Sequence, residues 1–197
     1  LQQIVAVYDH HSGFETYWSD KLGENAVIEF VGSAATLVYR EWKKSCLQGK
    51  IKRSTALMLI AAILDNTLNL LSSNTTEEDM RTLDELCKAA NVDEKWCESY
   101  FMEVQHNIES NFAKAIFGDI KHVQSSILPV QVSQICIWNA ESIIGKLPKI
   151  GELFGNSDDW MINLIDIRQR CSYFVCPNEN RREGLESVFG VHFETDV

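Results

Sequence analysis

No run of membrane length and no signal-peptide pattern occurs in the 197 residues, so the expected setting is the cytoplasm, away from a membrane. Basic residues are in deficit: 18 Lys+Arg stand against 28 Asp+Glu, for a net charge of −10 and a pI near 4.9. A nucleic acid held through its phosphates needs basic surface, so that partner class is disfavoured. A small polyanion would have to be met by local positive charge and metal ions rather than by a global field. None of the six cysteines forms C-x-x-C, which reads as reduced thiols rather than a disulfide or zinc framework. Proline is scarce, at three residues, and no Pro/Gly linker marks a domain seam. There is no internal repeat and no low-complexity segment. What remains is ordinary globular composition, 45% hydrophobic and 23% charged, enough for one respectable core or two small ones.

The most informative stretch is the first. Ile4, Val5, Ala6 and Val7 form a short apolar run that reads as a buried strand ending on Tyr8. Asp9-His10-His11 follows at its exit, where open α/β sheets place their ligand crevices. A carboxylate beside two imidazoles is metal-site chemistry: imidazole nitrogen suits first-row metals, and the carboxylate can ligate or fix a tautomer. A polar loop with surface histidines is the plain alternative.

Further along, Ser12 to Asn25 reads as a polar loop dotted with aromatics, and Ala26 to Val31 as a second strand. Gly32-Ser33 opens a helix from Ala34 to about Leu47, ended by Gly49; small residues and free N–H groups there admit a close approach or an anion. Arg53 to Leu64 is apolar nearly all round and predicts a buried helix. Asp65 follows it, costly if buried unless paired or metal-bound. Thr75 and Glu78 have the spacing of a capping box, with Met80, Leu83, Leu86 and Cys87 at core positions of the helix they start. Asp93 caps a further helix running from Glu94 towards Ala113. Val130–Trp138, Met161–Ile167 and Tyr173–Cys176 predict strands, the last two joined about Arg168 to Cys171. Ala140 to Phe154 is helical in part, interrupted at Pro148, and Asn180 to Phe189 is a final helix. The order is an α/β domain followed by a smaller α+β domain, with the seam placed in the polar stretch Gln105 to Ser110. His106, His122 and His192 read as bystanders, and Arg181-Arg182 as solvated surface.

Four segments together resemble a known family nearly end to end in order and spacing: VYDHH, Val31 to Trp42 (VGSAATLVYREW), Ala56 to Leu68 (ALMLIAAILDNTL), and Asp119-Ile120-Lys121. They are similar to the DHH phosphoesterase superfamily, in the branch with a DHHA2 second domain, which holds manganese-dependent (family II) inorganic pyrophosphatases, exopolyphosphatases and prune-like proteins. The resemblance implies that residues 1–107 are the later part of a DHH domain, a parallel sheet with helices, and that 108–197 are a DHHA2 domain lacking its last strand. It implies a metal-dependent phosphoanhydride hydrolase with two divalent metals, Mn2+ first and Mg2+ or Co2+ as alternatives, acting on pyrophosphate or short polyphosphate. His10 and Asp65 would ligate metal. His11 would face the substrate phosphate as the catalytic imidazole, Asp9 would buttress the histidines, and Lys121 would bind phosphate. The family's earlier aspartate-bearing motifs and its late Arg-Lys element do not occur, so the chain is expected to be an incomplete fragment, inactive as it stands. The alternatives are a prune-like or degenerate scaffold acting through protein partners and, disfavoured for want of a Gly-Gly-Gly-His run, a nucleic-acid phosphodiesterase. A homodimer is compatible with the resemblance, which chooses neither substrate nor oligomeric state.

Overall fold

The computed structural model describes residues 3–45, 51–145 and 150–193. The chain divides into two compact units, Leu1–Glu98 and Ser99–Val197. A single helix, Glu94–Ser110, runs across both that division and the polar stretch where the sequence places the seam. The fold is α/β, and no helix among the described residues is long and apolar enough to cross a membrane.

The first unit is built on a parallel pair of short strands, β1 (Val7–Asp9) and β2 (Ala26–Ile28), in register Val7↔Ala26 and Asp9↔Ile28. Parallel neighbours cannot be joined by a tight turn and need a crossover. That corrects the reading of residues 12–25 as a loop: they hold helix α1 (Glu15–Leu22), which carries the chain back to the start of β2. The apolar run is corrected too. Ile4 and Val5 precede the strand and are exposed, and the strand itself is Val-Tyr-Asp. Asp9 is thus its last paired residue rather than a loop residue.

Helices α2 (Ala34–Lys44), α3 (Arg53–Asn66) and α4 (Glu77–Ala90) pack together and supply the core, with Leu37, Ile60, Ile63, Leu64 and Leu86 sealed from solvent. The α3 helix is buried along one stripe only, since Met58 is exposed. Met80 of α4 is exposed as well, although its spacing suggested core. The helix end expected near Leu47 and Gly49 lies outside the described residues. So does Cys46; the other five cysteines form no disulfide among the described residues.

In the second unit α5 (Glu94–Ser110) stops at Asn111, whose side chain accepts from the Lys114 N–H and starts α6 (Phe112–Asp119). Strands β3 (Lys121–His122), β4 (Gln131–Ile137), β5 (Trp160–Asp166) and β6 (Cys171–Val175) form one mixed sheet in that order. The central β4–β5 pair is parallel and the outer pairings are antiparallel. The crossover between β4 and β5 includes the short helix α7 (Glu141–Ile144). One face buries Ile135, Ile137, Trp160, Ile162 and Leu164 with Ile116 of α6. The other packs Met161 and Cys176 against Leu185 of α8 (Glu179–Phe189). Pro148 lies outside the described residues.

Candidate metal and phosphate site

Asp9, His10 and His11 bring one potential ligand atom each within 4.8 Å of one another, and they are the one such group of three among the described residues. The strand end aims all three. Asp9 Oδ1 accepts from the His10 and His11 backbone N–H groups, at 2.7 and 3.1 Å, and from His11 Nδ1 at 2.8 Å. Burial pushes the Asp9 carboxyl up, but these bonds from His11 and His10 outweigh it and hold the group below the usual range. That oxygen is committed to orienting its neighbours. A carboxylate only accepts while ionised, so His11 Nδ1 donates and its Nε2 carries the free lone pair.

His10 is oriented from elsewhere. Its Nδ1 lies 3.3 Å from the Val31 carbonyl oxygen. A carbonyl can only accept, so here too Nδ1–H donates and Nε2 is left for a ligand. The His10 ring is half-buried and His11 is largely exposed.

Val31 belongs to the connection between β2 and α2. Gly32 in that connection approaches its neighbours so closely that a Cβ there would stand 2.7 Å from Thr67 Cγ2 and 2.9 Å from Asp79 Oδ2. Thr67 ends α3, two residues beyond Asp65, so the His10 support and the Asp65 end of α3 meet at Gly32. The carboxylate of Asp65 is exposed rather than buried, which removes the desolvation argument for a metal there and leaves an accessible donor. Asp65 makes interactions of its own and does not join the 4.8 Å group.

After α3 the backbone is strained. Leu68, Asn69 and Leu70 have φ of 50°, 58° and 64°, a left-handed run that costs about 1–2 kcal/mol per residue for side chains of this kind. Buried Thr67 holds it: its Oγ1 donates to Ile63 O at 2.6 Å and accepts from Leu70 N at 3.1 Å, while its carbonyl accepts from the Leu71 and Ser72 N–H groups. No periodicity signals such a turn.

The capping box exists one residue later than the spacing of Thr75 and Glu78 predicts. Thr76 Oγ1 accepts from Asp79 N, and Asp79 Oδ2 accepts from Thr76 N. The reason is tertiary. Glu78 is turned away to a two-pronged ion pair with Arg40, whose third nitrogen reaches Glu29. Asp79 is turned inward, wholly buried, to accept from Gly32 N, Thr36 Oγ1 and Thr76. It is the functional candidate that the sequence reading missed.

In the second unit, Lys121 is exposed on the edge strand β3, its Nζ 3.6 Å from Asp119 Oδ1. Asp119 Oδ2 accepts from Gln134 N at 2.8 Å and so anchors β3 beside β4. His106 and His122 are exposed, and His192 pairs with Glu186 on the surface. Arg181 is not the solvated residue expected. It pairs with Asp159 at 3.0 Å and donates to the Ser125 and Ser126 carbonyls, while Arg182 donates to those of Cys176 and Pro177. Both arginines are committed to holding loops around α8.

No protein-family model matches the chain. Over 98% of its length it is 24% identical, across 203 residues, to a probable manganese-dependent inorganic pyrophosphatase of Streptococcus thermophilus. Over 67% of its length it is 30% identical to the corresponding protein of Lactiplantibacillus plantarum, covering 42% of that relative. In fold it matches a Methanococcus jannaschii protein assigned as a family II inorganic pyrophosphatase, with a TM-score of 0.67, 18% identity and 91% of this chain covered. The chain spans 63% of the length of the Streptococcus relative and 62% of the Methanococcus chain. Over nearly all of its length the chain is similar in sequence to manganese-dependent inorganic pyrophosphatases, and in fold to a family II inorganic pyrophosphatase.

Proposed function

We propose that the protein carrying this chain is a metal-dependent phosphoanhydride hydrolase, cleaving pyrophosphate or short polyphosphate in the cytoplasm with two divalent ions, Mn2+ foremost. The single observation that carries this is the pair of imidazoles at the end of β1, each held by its Nδ1 with its Nε2 left open. In this reading residues 1–107 are the later part of a DHH domain and residues 108–197 a DHHA2 domain. The donor chemistry fits: neutral imidazole nitrogen and exposed carboxylate oxygen both suit a first-row divalent cation. His10 Nε2 and the Asp65 carboxylate are the ligands. Asp9, already bonded to three hydrogens, orients rather than ligates. His11, exposed beside them, meets the substrate phosphate. Lys121, with its exposed ammonium, supplies a positive charge to a phosphate oxygen. Bound metals would acidify the attacking water and neutralise charge on the phosphoryl oxygens. The net charge of −10 supports a small anion met by such local groups over a nucleic acid.

The test is phosphate release from pyrophosphate and from tripolyphosphate with Mn2+, in the protein carrying this chain. His10→Ala should lower both turnover and metal affinity. Lys121→Ala should lower kcat/KM by about 2–4 kcal/mol in transition-state stabilisation, with Mn2+ affinity unchanged. Full activity in both variants would sink the proposal.

A second reading has an observation of its own. Among the described residues only one group of three donors gathers, and one oxygen of its Asp9 is already taken by three hydrogen bonds, whereas such cations take about six ligands. A scaffold that works through protein partners would show no metal-dependent phosphate release from either substrate.

A further inference from the structure

We propose that Asp79 is a positioning residue for His10, acting through the single peptide unit between Val31 and Gly32. This deepens the reading of His10 as a ligand given above and rests on it for its functional meaning. The geometry is direct. Asp79 Oδ2 accepts from the Gly32 N–H at 2.7 Å, and the carbonyl of the same peptide lies 3.3 Å from His10 Nδ1. That peptide is planar and trans, so its N–H and C=O point opposite ways. Carboxylate, peptide and imidazole are therefore in series.

Asp79 is suited to this. It is wholly buried, and its oxygens also accept from Thr36 Oγ1 and from the Thr76 N–H and hydroxyl, at 2.6–2.8 Å. Four donors meet the carboxylate, three on Oδ2 and one on Oδ1, and together they hold the group against turning away from Gly32. Its cap on α4 needs only Thr76; the bond to Gly32 lies 47 residues away in sequence and serves the β2–α2 connection. A charge-assisted bond at a peptide N–H polarises the carbonyl on the other side and makes it a better acceptor. A stronger acceptor at Val31 holds the proton on His10 Nδ1 and leaves the Nε2 lone pair for a ligand, as a carboxylate does when it bonds a metal-bound histidine directly. The absence of a side chain at Gly32 is what lets the carboxylate come this close.

The test reads the imidazole itself, without metal or substrate, so its failure is distinguishable from failure of the hydrolase reading. Long-range 1H–15N correlation on the labelled protein carrying this chain, at alkaline pH, reports which His10 nitrogen carries the proton. The wild type should show it on Nδ1, with the Gly32 amide proton shifted far downfield. In Asp79→Asn the Nδ1–H to Nε2–H ratio should fall by about three- to tenfold, the size expected when a charge-assisted bond becomes a neutral one. Thr36→Val removes a different partner of Asp79 and should leave the ratio unchanged even if stability falls. A wild-type proton on Nε2, or an ordinary Gly32 amide shift, overturns the proposal without any variant having to fold. So does a ratio that follows stability equally in both variants.

Discussion

Gly32 and Thr67 are so close that one added carbon at Gly32 would stand 2.7 Å from the Thr67 methyl. Real Cβ atoms do not come that near, and the same carbon would stand 2.9 Å from Asp79 Oδ2, so Gly32→Ala must displace Gly32 itself or both the Thr67 and Asp79 side chains. Overpacking of a tight interior contact costs about 1–3 kcal/mol. Chemical denaturation should show a loss in that range. A loss under about 0.5 kcal/mol, the usual scale of a neutral change, would mean that the contact is slack.

The acid limb of stability should report Asp79. Burial pushes its carboxyl up, but the bonds from Thr36, Thr76 and Gly32 outweigh it and bring it below the ordinary value. Glu78 is lowered too, chiefly by its bond from Arg40. A carboxyl lowered on folding takes up its proton first in the unfolded state. Its stabilisation is therefore complete above the unfolded value, about 3.9 for Asp, and is lost as pH falls through the lower folded value. Denaturation midpoints between about pH 6 and pH 2.5 should fall steeply below about pH 4. The fall should be shallower in Asp79→Asn, and an identical slope would remove Asp79 from the account.

Arg181 and Lys121 should separate by what they stabilise. Arg181→Ala strips Asp159 of its partner and two carbonyls of a donor, and should cost about 1–3 kcal/mol of stability. Lys121→Ala removes an exposed side chain and should stay within about 0.5 kcal/mol. Thermal or chemical unfolding of the two variants checks it; equal losses would show that the Arg181 contacts carry no stability.

How much was legible beforehand follows from the range of each signal. Strands β4, β5 and β6 are within two residues of their predicted bounds, because β4 and β5 carry sustained apolar patterns, whereas the two-residue β3 carries none and was not predicted. The Asp9-His10-His11 cluster could be read because its members are consecutive. Helix α1 was not legible: it buries no residue, so no apolar stripe announces it, and only the parallel pairing of β1 with β2 requires a crossover. Asp79 was hidden for another reason. A helix start with acidic residues at 77, 78 and 79 offers several caps, and the choice is made by Gly32 and Thr36, more than 40 residues away in sequence. Arg181 looked solvated because its partners, Asp159 and the 125–126 carbonyls, lie 22 and 55–56 residues away in sequence.

His10 is proposed to present a free Nε2 to a divalent metal, and Mn2+ titration of the protein carrying this chain, followed by calorimetry or by the loss of the free-ion resonance signal, measures whether it does. His10→Ala should weaken binding by about 10–100-fold, while His106→Ala, an exposed histidine outside the cluster, should bind as the unsubstituted chain does. Equal affinities for the two variants would contradict the account.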